Sequence, residues 1–171
     1  EVSAWLEFRR VLFRSQNLWE LLVKNGATEC GLGARDVLRL EAALALHGNE
    51  ITEKTNPFEA QLSRFVELDR ENYIVNNTLN NIKSQELSKK LIGFEIQGRN
   101  IARSHNIIKD NNNNIIGEVT SGTYSPALNK SIGLGYISNK SLDINSEITI
   151  EIRSKNILAK IIKIPFYKRS N

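Results

Sequence analysis

Apolar positions along the 171-residue chain fall into two textures, helical spacing before about residue 86 and strand spacing after it. In QNLWELLVKNG (16–26), apolar residues at 18, 19, 21, 22 and 23 precede a glycine suited to a C-cap, which predicts a helix. ATECGLGARDVLRLEAALAL follows. Its RDVLRLEAAL portion is helical by propensity, yet Leu38 and Leu40 also fit strand alternation, so both readings stand. Gly31 and Gly33 predict a tight turn that presents Arg35 and Asp36. Pro57, behind Thr55 or Asn56 as a cap, predicts a short helix, and a strand is expected around Phe65 to Leu68. VNNTLNNIKSQELSKK, polar with Leu79 and Ile82 three apart, reads as an exposed helix and linker.

From Lys90 the pattern turns to strands. KLIGFEI alternates Leu91, Gly93 and Glu95 against Ile92, Phe94 and Ile96. NIIKDNNNNIIGEVT places two apolar runs around an Asp/Asn turn, which predicts a hairpin. SIGLGYIS, EITIEIRS and ILAKIIKIPF bring the total to about six strands, consistent with a small barrel or sandwich that must close or cover its edges.

The first residues stand apart. The chain begins with Glu1, and LEFRRVLFRS (6–15) is the in-frame translation of a common sequencing adaptor. The codon before it in that adaptor is TGA, which reassigned codes read as tryptophan, and Trp5 occupies that place. Residues 1–15 are therefore expected to be non-native, so no function is drawn from Arg9, Arg10 or Arg14. An amphipathic helix and an Arg-rich targeting peptide are the competing readings.

Composition narrows the classes. A net charge of +4 arises from interspersed Lys, Arg and acids, and aromatics are 7% of residues, so the basic stripe with stacking aromatics typical of nucleic-acid binders is lacking. The charge equally suits an acidic partner or a polyanionic ligand. One cysteine, Cys30, permits no internal disulfide and no cysteine zinc site, and it is expected to be a small buried residue. His47 and His105 lack metal-ligand spacing, so no metal is expected. No apolar run approaches the roughly 20 residues that span a membrane.

GLGARDVLRLEA carries the most chemistry. Glycines beside an arginine permit close backbone approach to a planar ligand, and a guanidinium offers forked donors to anions or amides. The competing reading pairs Arg35 with Asp36 or Glu41 as a surface ion pair. In VTSGTYSP, Ser121 or Ser125 could be a nucleophile only with a base in reach. His105, expected on a neighbouring strand, has no evident orienting acid, so Gly122, Ser125 and Pro126 are read as bend chemistry.

GLGARDVLRLEA, HGNEITEKTNPFEAQL, GEVTSGTYSP and IPFYKR together resemble, in order and spacing, the T-protein family of the glycine cleavage system. The match runs from about Leu18 to Lys168. The chain departs from the family pattern at Ala43 and Gln61, where glycine is usual, at His47 for tyrosine and at Arg64 for tryptophan. YIVNN, Tyr73 to Asn77, also lacks the usual glycine and Lys-Glu pair.

The resemblance implies an α+β chain: residues 16–86 would end a mixed α/β folate-binding domain, and 87–171 would form a C-terminal antiparallel β-barrel. It implies a tetrahydrofolate-dependent aminomethyltransferase that takes a one-carbon unit from aminomethyl-dihydrolipoate on the H-protein and releases ammonia. Arg35 would contact tetrahydrofolate. The family's catalytic aspartate belongs to an N-terminal half that this chain does not contain, so no catalytic residue is expected here and the fragment alone should be inactive. No nucleic-acid or membrane partner is expected, and the compartment would be the bacterial cytoplasm or a mitochondrial matrix. Two relatives compete: the folate-binding tail of a sarcosine or dimethylglycine dehydrogenase, and a non-enzymatic folate-binding iron–sulfur assembly protein. The latter's KGCYxGQE-like signature is absent.

Overall fold

The structure, a computed structural model, describes residues 15–68, 74–138 and 142–169. The segment expected to be adaptor-derived lies outside these apart from Ser15, and so does Tyr73 of YIVNN. The chain divides into two compact units after Arg35.

In the first unit, helix α1 is described over residues 15–24 and ends as the sequence expects. Gly26 takes φ +89°, Ala27 N donates to Leu22 O and Gly26 N to Val23 O, the paired bonds of a Schellman cap. Every residue from 15 to 33 is exposed, including Leu18, Trp19, Leu21 and Leu22. Cys30 is exposed too, which corrects the expectation of burial: the linker after α1 has no layer over it.

Helix α2, Leu32–Glu41, settles the helix-or-strand ambiguity. It starts directly after Gly31, so Gly33 is helical rather than part of a tight turn, and neither glycine has a positive φ. Its C-terminus is another Schellman cap: Leu44 N donates to Arg39 O, Ala43 N to Leu40 O, and Ala43 sits at φ 53°.

The second unit is built on a closed antiparallel barrel. Strands β1 (Lys90–Ile96), β2 (Ile107–Lys109), β3 (Ile115–Ser125), β4 (Lys130–Ile137), β5 (Glu147–Ile152) and β6 (Lys155–Ile162) are ordered β1-β4-β3-β2-β5-β6. Closure leaves no unpaired edge. Inside lie Ile92, Phe94, Ile108, Ile137, Ile148 and Ile150 among others, all buried. A second cluster forms on the outer face of β1 and β4, where Leu40 of α2 meets Leu91, Ile132, Leu134 and Tyr136, with Ile164 and Phe166 beside it. Both faces of β4 are thus covered, which is why it is buried from Ser131 to Ile137 instead of alternating.

Two short elements differ from expectation. Residues 57–61 form turns, not a helix, although Asn56 does cap them: its Oδ1 accepts from Phe58 N and Glu59 N. Phe65 to Leu68 contains no strand; Ser63–Phe65 is a 3-10 turn. The helix expected after it is α3, Asn76–Ser84. The Asp110–Asn114 hairpin turn forms as expected, with Asp110 Oδ1 accepting from Asn112 N and Asn114 N.

Candidate functional site

The four motif strings converge where α2 meets the barrel, and Arg39 is the hub. Its Nη1 donates to Glu50 Oε2 at 3.0 Å, its Nη2 to Ser121 Oγ at 2.8 Å and its Nε to Asp36 Oδ1 at 2.8 Å. A guanidinium suits this position because its planar fork can serve several acceptors at once. Glu50 is fully buried, and one bond from Arg39 would not balance its lost hydration. It also accepts from Leu46 N at 2.8 Å and Thr120 Oγ1 at 2.6 Å. The tight turn over 46–51, with Gly48 at φ 92°, brings Leu46 N and the Glu50 carboxylate together.

A β-bulge supplies the barrel's half of this network. The β3–β4 register shifts between Val119 and Ser121, so Val119, Thr120 and Ser121 are buried in succession. An added residue re-aims its neighbours. Here Thr120 reaches Glu50 while Ser121 reaches Arg39. Asn49 Nδ2 also donates to Ser121 Oγ at 3.1 Å.

A second buried carboxylate, Glu41, accepts from Ser125 Oγ, whose oxygen in turn accepts from Leu128 N at 3.1 Å. The main-chain oxygen of Glu41 accepts from Tyr167 N at 2.9 Å, which ties IPFYKR to the end of α2. Tyr136 donates to Glu50 O at 2.8 Å. Burial, and then the charges of Glu50 and Glu59, push its phenol well above the usual range. Glu59 itself accepts from Ser88 Oγ at 2.6 Å and Asn56 N at 3.2 Å.

Neither Ser121 nor Ser125 is placed as a nucleophile with a base in reach. Ser121 Oγ accepts two N–H donors, and Ser125 is bound to a carboxylate it cannot leave cheaply. His105 sits in a turn rather than on a strand, exposed, with Nδ1 3.5 Å from Glu118. The bend reading also needs correction. Only Pro126 lies in the turn after β3; Gly122 is inside the strand, where a Cβ would stand 2.4 Å from Ala102 O. Close backbone approach, not bending, requires glycine there.

Arg35 is the contrast. It is exposed, with no hydrogen-bond or ion-pair partner among the described residues. The surface pairs that competed for it are taken: Asp36 is held by Arg39 at 2.7 Å and Glu41 by Ser125. Gly31 and Gly33 border open space, since a Cβ on either would meet no atom within 4 Å. Sequence reading missed Arg39, Glu50 and Thr120. The available signal was the Asp36–Arg39 spacing, three apart once the segment is helical. Among the described residues no three His, Cys, Asp or Glu side chains group as a metal would require, and no helix is long and apolar enough to cross a membrane.

Comparison with known proteins gives the setting of these motifs. Residues 89–168 match the family model described as the glycine cleavage T-protein C-terminal barrel domain, and residues 13–70 match the GCVT N-terminal domain. An aminomethyltransferase of Synechococcus elongatus is 43% identical over 154 residues, covering 90% of this chain and 41% of that protein. One of Flavobacterium psychrophilum is 42% identical over 144 residues, covering 84% and 40%. A crystal structure of glycine cleavage system aminomethyltransferase T from Bartonella henselae superposes with a TM-score of 0.81 at 32% identity, over 89% of this chain and 43% of that one. The chain thus spans about two fifths of the length of these relatives.

Proposed function

Because the chain belongs to the glycine cleavage T-protein family, we propose that it is the C-terminal part of a tetrahydrofolate-dependent aminomethyltransferase. The parent protein takes the aminomethyl group carried on the dihydrolipoyl arm of an H-protein. The carbon–nitrogen bond of that group breaks with release of ammonia and its carbon–sulfur bond breaks to return the dihydrolipoyl thiol, while the carbon bonds to two folate nitrogens, whose two protons leave with the ammonia and the thiol, giving methylenetetrahydrofolate. Residues 16–86 complete the folate-binding domain and 87–171 are the barrel domain, with residues 1–15 foreign to the gene. The setting is the bacterial cytoplasm, or the mitochondrial matrix in a eukaryote.

One observation carries the reading at residue level: the free guanidinium of Arg35 beside two unobstructed glycines. A folate offers carboxylates and a ring of amide-like acceptors, the chemistry that a forked cation recognises. The motif residues around Arg35 serve to hold rather than to react. Arg39, Glu50, Thr120, Ser121, Glu41 and Ser125 satisfy one another, so none is available to accept a substrate proton. Bound folate would meet only one wall here, and positioning of both reactants is a large share of such a rate.

The purified chain should therefore form no methylenetetrahydrofolate from aminomethylated H-protein and tetrahydrofolate, while the complete parent does. Turnover by residues 16–171 alone would overturn this reading. Native DNA reads that cross the Ser15–Gln16 junction without adaptor sequence would overturn the proposed boundary.

A further inference from the structure

We propose that a basic cleft at one end of the barrel, remote in sequence from Arg35, is a docking site for an acidic segment of a partner protein. The cleft has a volume of about 470 Å³ and lies between the segment 99–106, which links β1 to β2, and the β5–β6 hairpin. Arg99 and Arg103 come from the first, Arg153 and Lys155 from the second, and Ile101, Ile152 and Ile157 line it between them. No carboxylate lines it. All four cationic residues are exposed, and none has an ion-pair partner among the described residues. The acids nearest in sequence to Arg99 and to Arg153 are engaged elsewhere, Glu95 by Lys130 at 2.9 Å and Glu151 by Lys109 at 2.7 Å.

The hairpin turn adds an independent observation. Ile152 pairs with Lys155, so Arg153 and Ser154 form a two-residue turn, and both have positive φ, 49° and 61°. That geometry favours Asn-Gly, and a bulky residue there is strained. Strain retained at an exposed turn that aims a cation into a cleft points to a use for the side chain.

The lining selects the occupant. Isolated cations around a single pocket would suit one phosphate; here aliphatic floor alternates with charge, which suits carboxylates spaced by aliphatic side chains. Nucleic acid is disfavoured because no aromatic residue lines the cleft to stack a base. The barrel offers no free strand edge, so recognition proceeds through side chains.

The test uses the whole chain and a labelled synthetic peptide alternating glutamate with leucine, read by fluorescence anisotropy. Binding should weaken as salt rises, and Arg99→Glu or Lys155→Glu should weaken it by about tenfold or more. Arg153→Asn should also weaken it while leaving Tm unchanged or higher, because asparagine tolerates the turn geometry. No binding, binding indifferent to all three substitutions, or tighter binding of single-stranded DNA or inorganic phosphate at the cleft would each overturn the proposal.

Discussion

Arg39 exchanges water for Glu50, Ser121 and Asp36, while Arg35, one helical turn earlier, stays exposed with no partner among the described residues. The energetic consequences are opposite. Truncating Arg39 leaves Glu50 charged, fully buried and short of its main cation, a loss worth about 3–5 kcal/mol. Truncating Arg35 removes an exposed side chain, so Arg35→Ala should change stability by less than about 0.5 kcal/mol. Denaturant titration of Arg39→Met and Arg35→Ala should separate the two by these amounts; equal losses would mean that Arg35 is also structural. Tyr136 adds a pH dependence. Its folded-state pKa is raised, so its contribution is complete below the unfolded value of 10.0 and is lost as pH climbs beyond it. The stability gap between the parent chain and Tyr136→Phe should therefore be wider at about pH 8 than at about pH 10.5. A gap that widened at alkaline pH would contradict the burial of the phenol.

At the scale of elements, the two departures from the family's glycines sit where a glycine would be most comfortable. Ala43 at φ 53° closes α2, and Gln61 at φ 57° ends the turns after Asn56. A left-handed backbone costs a non-glycine residue roughly 1–2 kcal/mol. Gln61 recovers part of this through Nε2, which donates to Leu91 O at 2.6 Å. Ala43 gains nothing comparable, so Ala43→Gly should raise Tm by about 2–4 °C, and Gln61→Gly should change it little. A lowered Tm for Ala43→Gly would show that the helix cap is not under strain. The strands and their hairpin were legible in the sequence because apolar runs and turn residues are local signals. The β3 bulge was not legible, since a one-residue shift leaves no mark in VTSGTYSP that distinguishes it from regular alternation. The short strand expected at Phe65 to Leu68 had apolar residues but no neighbour to pair with, and strands exist only as pairs.

For the whole molecule, the exposed apolar residues are informative. Leu18, Trp19, Leu21, Leu22 and Val23 lie together on and around α1 in a chain about two fifths as long as its relatives. The candidate site was half legible in the same sense. Four ordered motifs pointed to the family and to Arg35, but the network that fixes α2 joins Glu41 to Ser125, 84 residues away, and to Tyr167 beyond it, and no local spacing encodes that. A separation of roles is proposed: the motif residues from Arg39 onward build the scaffold, and exposed Arg35 is the residue we propose for folate contact. The most direct test is the affinity of the complete parent protein for tetrahydrofolate, measured by calorimetry with and without Arg35→Ala. The account predicts a Kd weakened by about 10- to 150-fold, as for a lost charge-assisted bond of about 1.5–3 kcal/mol, at unchanged Tm. An unchanged Kd would contradict it.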